Sequence, residues 1–85
     1  MKYYVYLLVS KNNNKIISYV GYTNNLIKRL IDHNSSKGAK FTRGRQWKIA
    51  FKKGYINRSK AMKEEYKLKK NIKLRNKIKK NFLLL

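Results

Sequence analysis

Residues 3–33, YYVYLLVSKNNNKIISYVGYTNNLIKRLIDH, are the stretch that decides the fold. Residues 3–9 are β-branched, aromatic and almost continuously apolar, which is typical of a central strand covered on both faces. The polar residues 11–14 predict a turn, and residues 16–22 predict a second β-rich strand. The resulting hairpin places Tyr6 and Tyr19 on neighbouring strands.

A helix is predicted to follow the hairpin. Residues 23–25 supply short polar side chains for an N-cap, and the helix runs to about Asn34. Its apolar side chains form one arc that faces the sheet, made of Leu26, Ile27, Leu30 and Ile31. Arg29 and His33, spaced i, i+4, lie on one border of that arc and reach past the helix edge toward the sheet. Lys28 and Asp32 point to solvent.

The composition predicts a polyanionic partner. The 85 residues carry 23 Lys and Arg against 3 Asp and Glu, a formal net charge of +20, which is more than solubility needs. Nucleic acid is the natural candidate, although composition alone favours a ribosomal-type or chromatin-type protein that only binds. A membrane surface is a weaker candidate because no long apolar stretch is present. A chain of this length forms one domain at most.

Cysteine and histidine usage excludes several kinds of site. The chain has no cysteine and one histidine, His33, so a disulfide framework and thiolate or His-rich zinc sites are excluded. The fold must therefore rest on packing. No targeting segment is recognisable, from which we expect the protein to act in the cytoplasm.

A basic loop is predicted at residues 35–46, where the sequence contains glycine and lacks apolar periodicity. Its cations can follow a phosphate backbone while Phe41 offers a face for base stacking. These cations are Lys37, Lys40, Arg43 and Arg45. A merely solvated loop is the alternative, and the net charge favours phosphate contact.

Residues 46–55 alternate in hydropathy, as a half-buried third strand does. One predicted face carries Trp47, Ile49 and Phe51, and the other carries Lys48, Ala50 and Lys52. Gly54 is predicted to end this strand. Asn57 or Ser59 then caps a second helix over about residues 60–71.

The second helix carries the most informative position in the sequence. Its predicted apolar arc consists of Ala61, Met62, Tyr66, Leu68 and Ile72. Glu65 and Lys69 fall inside that arc, and Glu64 falls outside it. A carboxylate facing a core is costly unless it is paired or bound to a metal. A salt bridge between Glu65 and Lys69 that reaches the surface is the alternative, and the residues alone do not decide between the two.

Residues 73–85 predict a basic helix with one apolar stripe, made of Leu74, Ile78, Phe82 and Leu85. This helix extends the second helix or docks beside it. Self-association through the stripe, or a helix on a membrane surface, is a weaker interpretation because the stripe is short. We accordingly divide the chain into a domain over residues 1–71 and a basic helical tail over residues 72–85.

Several of these features together resemble the signature of the GIY-YIG nucleases. They are the tripeptides at residues 4–6 (Tyr-Val-Tyr) and 19–21 (Tyr-Val-Gly), the helix with Arg29 and His33, and the downstream Glu65. The resemblance runs from residue 3 to about residue 70, and the loop at residues 34–45 resembles the small single-domain members found in bacteria. The first tripeptide departs from Gly-Ile-Tyr but keeps its tyrosine.

The resemblance implies an α/β domain with a three-stranded, mainly antiparallel sheet flanked by helices, acting as a divalent-metal-dependent endonuclease. Glu65 would bind one Mg²⁺ or Mn²⁺, a hard ion that takes few protein carboxylates. Tyr6 and Tyr19 would bracket the attacking water, one of them as general base. Arg29 would clamp the scissile phosphate, and His33 would bind phosphate or assist proton transfer.

The expected partner is nucleic acid, DNA rather than RNA, contacted by the loop cations, Phe41 and Lys69, with no membrane partner. A non-catalytic, basic nucleic-acid-binding module on the same fold is the first alternative, and a plain basic structural protein is the second. Composition fits all three interpretations. Only a nuclease explains why the two tyrosines, the arginine, the histidine and the glutamate occur together.

Overall fold

The computed structural model describes residues 2–12 and 15–83, with only the backbone described at Asn12. Along the chain the elements are strand β1 (Tyr3–Asn12), strand β2 (Lys15–Thr23), helix α1 (Leu26–Asn34), a 3₁₀ turn (Lys40–Thr42), strand β3 (Lys48–Tyr55), helix α2 (Arg58–Lys70) and helix α3 (Ile72–Leu83). The strands form one antiparallel sheet in the order β2-β1-β3. The prediction of a three-stranded antiparallel sheet flanked by helices is confirmed.

The central strand β1 is covered on both faces, as its apolar sequence predicts. On one face Val5, Leu7 and Val9 pack against helices α2 and α3. On the other face Tyr6 and Leu8 pack with Trp47 and with the half-buried side chains of α1. The sheet is therefore the middle of three layers, with α1 on one side and α2 and α3 on the other.

The hairpin between β1 and β2 is longer than predicted. Lys11 and Asn12 belong to β1, and Lys11 pairs with Ile16 of β2. The predicted turn at residues 11–14 is therefore wrong for its first half, because cross-strand pairing continues to the end of the strand. Its second half, residues 13 and 14, lies outside the described residues.

A β-bulge changes which face the third strand buries. Leu7 pairs with Phe51 but Leu8 pairs with Ile49, so Ala50 is an extra residue on β3. Trp47 and Ile49 accordingly lie on the α1 side, while Ala50 and Phe51 lie on the α2 and α3 side. The prediction that Phe51 shares a face with Trp47 is wrong because the bulge interrupts the alternation. Strand β3 also continues through Gly54 to Tyr55.

Helix α1 begins and ends where the sequence predicts, but it is rotated about its axis. Asn25 is the N-cap, and its side-chain oxygen accepts a hydrogen bond of 3.1 Å from the backbone N–H of Lys28. Leu26 and Leu30 pack on the sheet, whereas Ile27 and Ile31 are exposed, contrary to the predicted arc. The rotation buries His33 completely, and both of its ring nitrogens have hydrogen-bond partners in the interior.

Asn71 separates α2 from α3. It is the C-cap of α2, and its side-chain oxygen accepts a hydrogen bond of 3.0 Å from the backbone N–H of Leu74 in α3. The cap of α2 is Asn57, one of the two predicted candidates. Ile78 and Phe82 of α3 pack on the sheet. Leu85, assigned to the same stripe, lies outside the described residues.

The buried face of α2 is narrower than the predicted arc. Ala61 and Leu68 are buried, while Met62, Tyr66 and Ile72 are exposed. Glu65 and Glu64 are both half-buried, so the expectation that only Glu65 turns inward is wrong. Positions i, i+3, i+4 and i+7 from Ala61 form one face, and that face includes both carboxylates. No helix in the described part of the chain is long and apolar enough to cross a membrane.

Candidate active site

A buried hydrogen bond between Tyr6 and His33 is the centre of the candidate site. Tyr6 extends from the middle of β1, His33 comes from the last turn of α1, and the Tyr6 hydroxyl lies 2.9 Å from His33 Nε2. Tyr6 is 1 % exposed and His33 is 0 % exposed. A buried polar pair of this kind costs free energy unless every donor and acceptor is satisfied, so its neighbours define what the site can do.

Two glycines make room for this pair. Gly21 is the cross-strand partner of Tyr6, and a Cβ atom built on it would contact the Tyr6 hydroxyl and come within 2.6 Å of Tyr6 Cζ. A Cβ atom on Gly38 would contact His33 Nδ1 and lie 2.9 Å from His33 Cε1. Any larger residue at either position would displace one member of the pair, which explains why glycine follows Tyr19-Val20 on β2.

The second ring nitrogen of His33 is also bonded. Thr42, which is fully buried in the 3₁₀ turn, places its hydroxyl oxygen 2.8 Å from His33 Nδ1. The same hydroxyl donates to the carbonyl oxygen of Ala39 at 2.7 Å. Tyr6, His33, Thr42 and the Ala39 carbonyl thus form one continuous chain of hydrogen bonds through the interior.

Further hydrogen bonds hold the loop between α1 and β3 against these buried groups. The indole N–H of Trp47 donates to the carbonyl oxygen of Thr42 at 2.9 Å. The side chain of Asn34 accepts from the backbone N–H of Trp47 at 2.6 Å and donates to its carbonyl oxygen at 3.2 Å. The basic loop predicted at residues 35–46 is therefore held in place on its inner side.

Tyr19 lies beside the pair without bonding to it. Its ring centroid is 5.1 Å from that of His33, and its ring stacks on Phe41 with centroids 6.1 Å apart and an interplanar angle of 22°. Phe41 is 58 % exposed, so Tyr19 and Phe41 present a partly open aromatic surface next to the buried centre. The two tyrosines of the motif are thus brought together but differ in burial and in partners.

Arg29 is the cation next to the Tyr6 hydroxyl. Burial raises the pKa of Tyr6, and the hydrogen bond and positive charge of Arg29 partly oppose that rise. The same hydrogen bond raises the pKa of Arg29, which stays cationic. Arg29 is half-buried at the border of α1, as predicted from its spacing with His33. Arg29 therefore lies between the buried Tyr6 hydroxyl and the protein surface.

Burial keeps His33 neutral. Desolvation of the ring lowers its pKa, and the nearby Arg29 charge lowers it further, while Asp32 acts weakly in the opposite direction. A neutral imidazole has one protonated and one unprotonated nitrogen, so it can receive a proton from a neighbouring hydroxyl.

Glu65 of α2 is half-buried, and its negative charge adds a minor contribution to the raised pKa of Tyr6. Glu65 also forms an ion pair with Lys69 at 3.5 Å, as the alternative prediction described. Lys69 lines a shallow hollow with Tyr19 and Phe41. Glu64 instead pairs with Lys60 and Lys67, both at 3.7 Å.

The donor set fits a hard divalent ion with few protein ligands. Within residues 2–12 and 15–83 no three His, Cys, Asp or Glu side chains cluster, which excludes a site built from several such ligands in this part of the chain. Mg²⁺ commonly keeps most of its waters and takes one or two carboxylates together with phosphate oxygens. One half-buried carboxylate, Glu65, is compatible with that mode.

The loop cations lie on the outer side of the fastened loop. Lys37, Lys40 and Arg43 are exposed and Arg45 is half-buried. Lys40 and Arg43 flank Phe41 and Thr42 in sequence, so the outward cations and the inward hydroxyl belong to the same turn.

The sequence missed three residues that build the site. Thr42, Gly38 and Asn34 give no periodic signal, and each acts through one specific contact. One signal was present, because a buried histidine needs partners at both ring nitrogens and Tyr6 can satisfy only one. A hydroxyl elsewhere in the chain was therefore to be expected.

Comparison with known proteins identifies the relatives of the chain. A family model described as the GIY-YIG catalytic domain matches residues 2–79. A UPF0213 protein of Oceanobacillus iheyensis is 46 % identical over 69 residues, covering 80 % of this chain and 77 % of that protein. A UPF0213 protein of Staphylococcus haemolyticus is 38 % identical over 69 residues, covering 80 % of each. The solution NMR structure of a UPF0213 protein from Bacillus halodurans shares 34 % identity over 81 % of this chain and 71 % of that chain, with a TM-score of 0.44.

Proposed function

Since this chain belongs to the GIY-YIG catalytic domain family, we propose that it is a divalent-metal-dependent endonuclease that hydrolyses phosphodiester bonds in DNA. The observation that carries the proposal is the buried bond between Tyr6 and His33, which lies beside the cation Arg29. A buried tyrosine that only packs needs one hydrogen-bond partner for its hydroxyl, but it does not need a cation beside that hydroxyl as well. Burying a phenol against a neutral imidazole is useful where a proton must move.

Tyr6 acts as the general base, with His33 as the acceptor of its proton. As water attacks the phosphorus, its proton passes to the Tyr6 oxygen while the Tyr6 proton passes to His33 Nε2. Burial raises the pKa of Tyr6 and lowers that of His33, so the charged pair does not form in the resting protein. The two transfers are therefore coupled to the attack and do not precede it.

Arg29 binds the phosphate and opens access to Tyr6. The Tyr6 side chain is 1 % exposed in the free protein, and its neighbour Arg29 is half-exposed. Its planar guanidinium matches two phosphate oxygens, and a bound phosphodiester draws it away from Tyr6. The same charge then stabilises the negative charge that develops on the phosphate in the transition state.

Glu65 is the half-buried carboxylate that would hold Mg²⁺ or Mn²⁺. The bound ion supplies Lewis acidity toward the phosphate and its leaving oxygen. Lys69 pairs with the Glu65 carboxylate in the free protein, and if Glu65 bound the ion, Lys69 would be available to a substrate phosphate. Tyr19 positions the water and the substrate from the open aromatic surface that it forms with Phe41.

The outer side of the loop is the proposed nucleic-acid surface. The exposed cations Lys37, Lys40 and Arg43, together with Arg45 and Lys69, would neutralise backbone phosphates, and Phe41 is open for stacking with a base. Binding through such contacts weakens steeply with salt, by a log-log slope near about 0.9 per duplex phosphate neutralised.

A nicking assay on duplex, branched and single-stranded DNA and matched RNAs, with and without Mg²⁺ or Mn²⁺, tests the proposal. We expect metal-dependent cleavage of DNA that Glu65→Gln abolishes and Glu64→Gln retains. Cleavage of RNA alone would correct the substrate. Absence of cleavage on every substrate with either metal would contradict the proposal.

A non-catalytic nucleic-acid-binding module is the second candidate. It is favoured by the 1 % exposure of Tyr6 and by the ion pair that occupies Glu65 in the free protein. Such a module would show the same salt-dependent binding with no cleavage and with no effect of Glu65→Gln on metal response.

A further inference from the structure

We propose that Thr42 is a positioning residue whose hydroxyl fixes His33 in the tautomer protonated at Nδ1, which leaves Nε2 free to receive the Tyr6 proton. The tautomer assignment stands on geometry alone. Its consequence for catalysis rests on the proposed function.

The direction of each hydrogen bond follows from counting protons. The Thr42 hydroxyl has one proton, and the Ala39 carbonyl, 2.7 Å away, can only accept it. The same hydroxyl must therefore present a lone pair to His33 Nδ1, 2.8 Å away, so Nδ1 carries the proton. A neutral ring then has no proton on Nε2, and the Tyr6 hydroxyl donates to it across 2.9 Å.

The opposite arrangement leaves groups unsatisfied. If Nε2 carried the proton, the Tyr6 oxygen would accept it, and the proton of the Tyr6 hydroxyl would have no acceptor in the described contacts. Thr42 would have to turn its proton toward Nδ1, so the Ala39 carbonyl would lose the 2.7 Å bond from the hydroxyl and keep only the 3.0 Å bond from the Thr42 backbone N–H. Each buried group left without a partner costs about 1–3 kcal/mol.

The Thr42 side chain is held in this orientation. It is fully buried, its branched Cβ restricts rotation, and its carbonyl accepts the indole N–H of Trp47 at 2.9 Å. The backbone of Gly38 covers the imidazole on the same side, since a Cβ atom there would contact His33 Nδ1. Water therefore does not replace the threonine as the partner of Nδ1.

The position of Thr42 in the chain also connects its contact with His33 to the proposed nucleic-acid surface. It lies between Phe41 and Arg43, which face outward on the proposed nucleic-acid surface. The turn that meets the substrate is thus the turn that orients the imidazole. An ordered turn is required before His33 can accept the proton.

The single histidine of the chain makes the assignment directly measurable. In ¹⁵N NMR of the whole protein at neutral pH, the only imidazole signals belong to His33. We expect a protonated-type shift for Nδ1 and an unprotonated-type shift for Nε2. The reverse pattern, or rapid averaging between the two, in the wild-type protein would overturn the proposal even if no variant could be purified.

Two substitutions separate the hydroxyl from the packing. Thr42→Val keeps the branched shape and removes the hydroxyl, so we expect the proton to shift wholly or partly to Nε2, where the Tyr6 oxygen accepts it. Thr42→Ser keeps the hydroxyl and should keep the wild-type pattern. An unchanged Nδ1-protonated ring in Thr42→Val would contradict the proposal.

Activity provides a separate readout. In a cleavage assay, Thr42→Val should lower kcat by roughly 10- to 100-fold, the usual range for loss of an orienting hydrogen bond to a ring nitrogen, with KM nearly unchanged, and Thr42→Ser should restore most of it. A wild-type protein with the Nδ1-protonated ring that cuts no nucleic acid would overturn the proposed function and leave the tautomer assignment intact. Equal kcat in wild type and Thr42→Val would remove the positioning role.

Discussion

The two faces of strand β1 bury side chains equally and use them differently. Leu7 is 0 % exposed and packs with Val5, Val9, Ala61 and Leu68 on the side of α2 and α3. The adjacent residue, Tyr6, is 1 % exposed on the α1 side. There its polar end meets a buried imidazole, and the imidazole meets a buried hydroxyl.

The difference shows that burial alone does not reveal what a residue contributes. Aliphatic contacts are non-directional, so the α2 and α3 face tolerates exchange of residues of similar volume. The α1 face holds groups whose hydrogen bonds are directional and whose loss leaves a buried partner unsatisfied. The first face stabilises the domain, and the second uses part of that stability to hold polar groups in place.

Substituting neighbouring residues on the two faces should separate stability from activity most sharply. Leu7→Ala should lower the free energy of unfolding by about 2–5 kcal/mol because it leaves a cavity in the aliphatic core. Tyr6→Phe keeps the ring but leaves His33 Nε2 without its partner, so it should cost about 1–3 kcal/mol of stability while lowering cleavage by a factor on the order of 100 or more. Denaturant unfolding and single-turnover cleavage measure the two effects.

The comparison would fail if Tyr6→Phe cleaved like the wild type, since Tyr6 would then be a packing residue. Tyr19→Phe is the matched variant for the more open tyrosine. It should also lower cleavage without unfolding the protein, because the hydroxyl of Tyr19 contributes no bond to the buried chain.

Glycine substitutions sharpen the comparison at the level of single contacts. Gly21→Ala should cost about 1–3 kcal/mol and most of the activity, because the added methyl group must displace Tyr6. Gly54→Ala is the control on β3, since its Cβ atom would meet Tyr4 at an ordinary 3.4 Å. Thermal melting and the cleavage assay should both show a larger loss for Gly21→Ala than for Gly54→Ala. Equal losses in the two variants would show that displacing Tyr6 has no specific effect.

The smallest expected effect is the dependence of the free energy of unfolding on pH, which arises from His33 on the α1 face. Burial lowers the pKa of His33 from its ordinary 6.5, so below that pH the unfolded chain binds a proton that the folded chain resists. The contribution of His33 to the free energy of unfolding should be fully present above pH 6.5 and should be lost as the pH falls through the folded-state pKa of His33. Carboxyl groups ordinarily titrate below about pH 5, so the slope between pH 7 and 5 belongs to His33.

Melting curves between pH 7 and 5 test this prediction, with His33→Gln as the non-titrating control. The control should be less stable overall but lack the slope. A slope of the same size in His33→Gln would show that another group causes it.

The sequence predicted the scaffold of both faces and most of the polar residues. The antiparallel sheet, its flanking helices and the caps at Asn25 and Asn57 follow from patterns within a few residues. The pairing of Arg29 with His33 followed from their i, i+4 spacing. Tyr6 and Tyr19 followed from the resemblance to the family motif.

What the sequence could not predict depends on contacts between distant segments. The bulge at Ala50 and the rotation of α1 result from how strands and helices pack together. The periodicity of apolar residues within one segment does not predict either feature. The bond from His33 to Thr42 spans nine positions and ends in a loop, where a threonine has no distinguishing pattern. The matching burial of Glu64 and Glu65 likewise depends on how α2 lies against the sheet.

Metal-induced thermal stabilisation of wild type, Glu65→Gln and Glu64→Gln tests the central claim most directly, and it needs no knowledge of the substrate. At about ten times the dissociation constant, a bound ion adds about 1.4 kcal/mol, which raises the melting temperature of a domain this size by roughly 5–10 °C. We predict that Mg²⁺ or Mn²⁺ stabilises wild type and Glu64→Gln and has no effect on Glu65→Gln. Equal stabilisation of all three proteins would contradict the assignment of Glu65 as the metal ligand, and with it the case for an enzyme over a binding module.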